Sequence, residues 1–213
     1  DFSYFNIQGT CVGAVGTEAD PDKATFPSVD TTTRLGGDGS INMAFPAFTG
    51  AVGSTDIARI NWDEMAIGAA ISGIERSSLV LSSKVFGRMG DGPNERGLSR
   101  KHVMESCHAS LRRLRTDYLD LYFCHRADPE TPLEETVRAM DDLVHQGKVH
   151  YWGTSVWPSD LLDDAHDLCD RRGFSPPLVE QPQYSLLERG IEASVMPTAQ
   201  RLGMGLVVWS PLA

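Results

Sequence analysis

Five residues able to do chemistry stand at the ends of five short apolar runs: Lys84, His125, Ser155, Gln181 and Trp209. An ammonium beside an imidazole makes a cationic, donor-rich pair suited to holding a carbonyl oxygen as it gains negative charge. A hydroxyl and a carboxamide nearby can orient an amide, and an indole offers a flat face for a ring. Each residue also has a plainer use. Lys84 can be a solvated strand-end lysine, or Val85 and Phe86 can strip it of water, lowering its pKa so that it forms a Schiff base or tunes a neighbouring acid. His125 can be a locally bonded imidazole, Ser155 a turn cap, Gln181 a strand-end hydrogen-bonding group and Trp209 core filling. What argues for a shared mouth is the recurrence at five run ends, because strand C-termini converge on one face of an α/β barrel.

The runs that must position these residues read as strands separated by helices. Leu119 to Cys124 is rich in types that suit a strand packed on both faces, and Asp128-Pro129 closes it. The other strands are Leu79 to Phe86, Val149 to Val156, Leu178 to Gln181 and Leu206 to Trp209. Met65, Ala69 and Ile71 allow a helix before them. Ser99 is an N-cap for a helix burying Val103, Cys107, Leu111 and Leu114. Thr131-Pro132 opens the next, with Leu133, Val137, Met140 and Val144 inward, and Pro158-Ser159 opens one with Leu161, Ala165 and Leu168 inward. A last helix aligns Ile191, Val195, Ala199 and Leu202. Alternation of this kind demands parallel pairing with helical crossovers, hence the α/β class. With no G-x-G-x-x-G turn and with polar groups spread over five strand ends, a (β/α)8 barrel is expected rather than a doubly wound sheet.

Residues 1 to 55 carry no lasting periodicity; Cys11 to Gly16 allows a short strand and turn, and Asp30 to Gly53 reads as loop. A (β/α)8 barrel takes about 250 residues, so the front is expected to supply two units and the last unit to be missing. One domain over residues 1–213 is expected. The net charge of −10, with basic residues only in short pairs such as Arg112-Arg113, disfavours nucleic acid. Four cysteines without metal-like spacing imply reduced thiols in a cytoplasmic protein and no metal site. No apolar run is long enough for a membrane span, and the first residues lack the basic start of a signal peptide.

Six segments together resemble the aldo-keto reductases, in the branch containing the potassium-channel β subunits. They are Leu79-Val-Leu-Ser-Ser-Lys-Val-Phe86, Arg96-Gly-Leu-Ser-Arg-Lys-His102, Leu111 to His125, Tyr151-Trp-Gly-Thr-Ser155, Glu180-Gln-Pro-Gln-Tyr184 and Trp209-Ser-Pro-Leu-Ala213. The resemblance covers residues 64 to 213. It implies a (β/α)8 barrel that binds NADP(H) without a Rossmann motif and reduces a small carbonyl substrate. It also implies the roles of single residues: Lys84 and His125 in the catalytic set, Ser155 and Gln181 on the nicotinamide carboxamide, Trp209 stacked on the nicotinamide, Ser210 and Leu212 beside the diphosphate. Asp56 aligns with the family aspartate that pairs with the lysine, which leaves Asn61 in the place of the proton-donating tyrosine. An amide cannot donate a tunable proton, so slow turnover is expected, by about 10²-fold or more. The front is expected to be an altered version of the family's first two strands. The branch leaves a second function open, a cofactor-sensing regulatory subunit with a channel-like partner or a homo-oligomer, and an inactive fragment is a further alternative.

Overall fold

A computed structural model describes residues 64–212 in full, together with the backbone of three short strands before them: β1 (Ser3–Phe5), β2 (Arg34–Leu35) and β3 (Ile41–Asn42). The first helix, α1, covers residues 64–70. It is followed by β4 (Leu79–Val85), α2 (Arg100–Leu114), β5 (Leu119–Cys124), α3 (Leu133–His145), β6 (Val149–Thr154), α4 (Ser159–Arg172), β7 (Val179–Glu180), α5 (Val195–Leu202) and β8 (Gly205–Leu206). Six strands pair in the order β1-β4-β5-β6-β7-β8, and every pairing is parallel. From β4 onward each strand neighbours the next in sequence. That order continues round a barrel wall, whereas a doubly wound sheet reverses direction at a switch point. The described residues form an arc of the expected barrel, with successive helices packed on one another along its outside.

The helices form where their periodic apolar faces meet the sheet. Val103, Cys107 and Leu114 of α2 are fully buried, as are Val137, Met140 and Leu143 of α3 and Leu162 and Ala165 of α4. Full burial of each larger side chain contributes about 1.5–3 kcal/mol, which is how short helices of modest propensity persist. Ser99 caps α2 by accepting from the His102 N–H, and Gly173 and Gly203 end α4 and α5 in the left-handed conformation. At Gly68 a Cβ would stand 2.4 Å from the Arg113 carbonyl oxygen, so only glycine lets α1 lie against the end of α2.

One strand is added and three expectations are corrected. Ser3–Phe5 is a strand, paired with Leu79 to Leu81. The segment read as loop from Asp30 to Gly53 holds the antiparallel pair β2 and β3. The strand expected to run to Val156 stops at Thr154, because Val156 takes a left-handed φ of 57°. The helix expected from Ile191 is broken at Ser194 (φ −145°, ψ −56°), so Ile191 lies in a separate 3-10 turn, Gly190–Ala193.

Candidate active site

Side chains of a strand alternate between faces, so the register decides which residues meet. Val85, Cys124, Thr154, Glu180 and Leu206 form one row across β4 to β8. Lys84, Phe123, Gly153 and Val179 lie in a second row on the opposite face. One step past the strand ends on that same face come His125, Ser155 and Gln181. The hydrogen-bond ladder carries on into them: His125 N–H donates to Val85 O, Ser155 N–H to Cys124 O and Gln181 N–H to Thr154 O, at 2.9, 3.0 and 2.8 Å. Trp209 is held the same way, its N–H donating to Pro182 O at 3.0 Å, and it bridges to Gln183. His125, Ser155, Gln181 and Trp209 therefore each hang from the strand before them or its continuation, and Lys84 lies within β4 itself.

Small size at Gly153 keeps the lower row compact, since a Cβ there would meet the Val179 carbonyl oxygen at 2.3 Å. Lys84 lies 5.8 Å from the centre of the Phe123 ring. Burial and the nearby Arg126 charge lower its pKa to about 8. His125 is pushed down to about 4 by burial, then by Arg126 and Lys84. Near pH 7 the lysine therefore carries charge and the imidazole is a neutral hydrogen-bonding group. Arg126 supplies the second charge. Its Nη1 donates to the His125 carbonyl oxygen at 2.5 Å and to Ser155 Oγ at 3.5 Å.

Gln181 is completely buried, yet among the described residues neither its side-chain amide nitrogen nor its side-chain amide oxygen has a partner. A buried amide left unpaired is costly, so a ligand offering both a donor and an acceptor is what this position fits. A carboxamide is such a group. Beside it Ser155 Oγ donates to the main-chain carbonyl oxygen of Gln181 at 2.7 Å and keeps lone pairs for a further donor. Trp209 is half-buried, Ser210 follows in a left-handed conformation (φ 50°), and Leu212 is exposed. A cavity of about 360 Å³ opens beside Trp209 between the loops after β6 and β7, lined also by Trp157, Glu180 and Ile191. Asp56 and Asn61 lie outside the described residues.

The profile of the aldo/keto reductase family matches residues 55–213. The chain belongs to this family. It is 46% identical over 153 residues to a probable voltage-gated potassium channel subunit beta of Arabidopsis thaliana, covering 70% of this chain and 46% of the relative. Against the protein of the same description in Oryza sativa subsp. japonica it is 46% identical, covering 66% of this chain and 43% of the relative. A putative voltage-gated potassium channel subunit beta of Schizosaccharomyces pombe is 43% identical, with 70% and 44% covered. This aldo/keto reductase chain spans less than half the length of these curated relatives. Among the described residues no helix is long and apolar enough to cross a membrane.

Three residues of the site escaped the sequence reading. Arg126 directly follows His125, and a cation abutting a strand-end imidazole was the signal. Glu180 is a carboxylate inside an otherwise apolar strand, which is rarely tolerated without a partner. Its partner Thr154 gave no signal, since threonine is ordinary in strands.

Proposed function

We propose that this chain carries the nicotinamide subsite and catalytic mouth of an NADP(H)-dependent reductase that converts aldehydes or ketones to alcohols. The observation that bears most weight is Gln181: a fully buried carboxamide, unpartnered among the described residues, beside the Ser155 hydroxyl and in the row that His125 also occupies. In this reading Ser155 and Gln181 hold the nicotinamide carboxamide, Trp209 stacks on its ring, and Ser210 and Leu212 lie along the diphosphate. When bound, NADPH would supply a hydride to the carbonyl carbon, and the oxygen would take its proton from solvent water. His125, neutral near pH 7, orients the carbonyl by donating a hydrogen bond. Lys84, with a pKa of about 8, is protonated at pH 7 and stabilises the charge developing on oxygen. Asp56 is assigned as the partner of Lys84. Residues 1–213 form a single domain in this reading, and the protein works in the cytoplasm.

The test is titration of the chain with NADPH and NADH, followed by steady-state oxidation of the cofactor with an activated aromatic aldehyde. Saturable NADPH binding with turnover supports the reductase. Absence of binding to either nucleotide overturns it. The three relatives described as potassium channel subunits beta favour a second reading, a cofactor-sensing subunit that assembles with copies of itself and with a channel. Tight NADPH binding without turnover on a broad carbonyl panel would select that reading.

A further inference from the structure

Glu180 is 0% exposed and faces away from the row of Lys84 and Phe123, beside Thr154. Its carboxylate is surrounded by donors. Thr154 Oγ1 donates to Oε2 at 2.5 Å, Val156 N–H donates to Oε1 at 2.5 Å, and the Trp157 N–H donates as well. The donors come from residues on both sides of Ser155, so one buried carboxylate ties down the turn that presents the Ser155 hydroxyl. That turn is strained. Val156 sits at φ 57°, a left-handed conformation that β-branched residues almost never adopt, and its side chain is 45% exposed. Packing of the valine does not offset the strain, whereas a charge-assisted hydrogen bond to its N–H does.

We propose that Glu180 is a positioning residue for the nicotinamide subsite: by holding the Ser155–Trp157 turn against the end of β7, it places the Ser155 hydroxyl beside the Gln181 amide and so sets the geometry that receives a carboxamide. The proposal rests on the subsite reading given above and adds to it a residue that does not touch the ligand. The ionised carboxylate is the strongest acceptor for these donors. Arg126 is the charged side chain that favours this form, and burial opposes it.

The experiment uses the full chain and Glu180→Gln, which keeps the shape and loses the charge, with Thr154→Val as a second variant that removes one donor and leaves the carboxylate. Hydrogen exchange is followed at the Val156 and Trp157 amides and, as an internal reference, in α2. NADPH affinity is measured by titration and compared with the 3-acetylpyridine analogue, in which a methyl replaces the amide nitrogen. For Glu180→Gln the expected result is exchange at Val156 and Trp157 about tenfold faster or more, with α2 unchanged, and NADPH binding about tenfold weaker. The loss is smaller for the analogue, which cannot use the full subsite. Thr154→Val should move the same readouts in the same direction by less. Unchanged exchange in Glu180→Gln overturns the proposal. Faster exchange with unaltered NADPH affinity also overturns it, by reducing Glu180 to a structural group. If the unmodified chain binds no NADPH, the subsite reading falls and the role of Glu180 with it, while the exchange still reports whether the carboxylate holds the turn.

Discussion

At the N-terminal ends of β4 and β5, Arg76 donates to Thr116 Oγ1, to the Leu79 and Tyr118 carbonyl oxygens and to Asp120 Oδ2, at 2.6–2.9 Å. Its guanidinium also lies 3.9 Å from the centre of the Tyr118 ring, and Asp120 Oδ2 accepts the Leu81 N–H. At the C-terminal ends of the same two strands, Lys84 and His125 are held below their ordinary pKa values by burial and by like charge. One end consumes its polar groups on each other. The other keeps an amine of lowered pKa, a neutral imidazole and, two strands away, an amide unpaired among the described residues. Polar groups that satisfy one another hold strands together, and groups left partly unsatisfied are available to a ligand. In a barrel this division follows the chain direction, with chemistry at the C-terminal mouth and stability below.

The largest effect should come from breaking the lower end. Arg76→Ala removes one partner of a half-buried pair and strands Asp120 and two carbonyl oxygens, at a cost of about 3–4 kcal/mol of folding stability. Denaturant unfolding measures that loss. Ligand affinity of the molecules that remain folded should not change, and a selective loss of affinity would erase the contrast between the ends.

A slightly smaller effect belongs to Glu180 at the upper end. Burial raises its pKa from 4.5 to about 7. An acid with a raised pKa binds its proton more tightly when folded, so its stabilising share is complete below pH 4.5 and is lost as pH rises through about 7. The shift corresponds to about 3 kcal/mol. Unfolding free energies at pH 5 and pH 8 should therefore differ by a step of that size that is absent from Glu180→Gln. An identical pH dependence in both proteins would show that the donors around the carboxylate outweigh its burial.

Much of the upper end was legible in the sequence because a turn signal follows each chemical residue within a few positions, as Asp128-Pro129 follows His125. The helices α2, α3 and α4 were legible too, since their apolar spacing matches the faces they bury. Elements too short for periodicity were not. Ser3–Phe5 is three residues long and earns its place by pairing with β4. The spacing of Ile191, Val195 and Ala199 mimics one helix, because periodicity is blind to the backbone break at Ser194. Glu180 was visible as a motif letter, but its partners, two backbone N–H groups and a hydroxyl, leave no trace in residue types. Leu162 shows the same limit on α4: it is fully buried, while the neighbouring Leu161, chosen by spacing, is only partly so.

The finest test of the contrast lies in Arg126, whose charge reaches both Lys84 and His125. Replacing it by glutamine keeps a donor for the His125 carbonyl oxygen while removing the repulsion. Burial is the larger cause of the lowered Lys84 pKa and is untouched by this change. The pKa should therefore rise above 8 yet stay below the ordinary 10.5. Amine acylation rates give the value directly, because only the neutral form reacts. A plot of Lys84 modification against pH, read by mass spectrometry, should move to higher pH in Arg126→Gln, and the amine should react more slowly than in the parent at pH 8. The His125 imidazole should shift upward as well while remaining mostly neutral at pH 7, since burial is again the larger cause. A full return of Lys84 to 10.5 would mean that charge, and not burial, tunes the mouth. No movement at all would mean that solvent screens Arg126, leaving burial alone to separate the two ends of these strands.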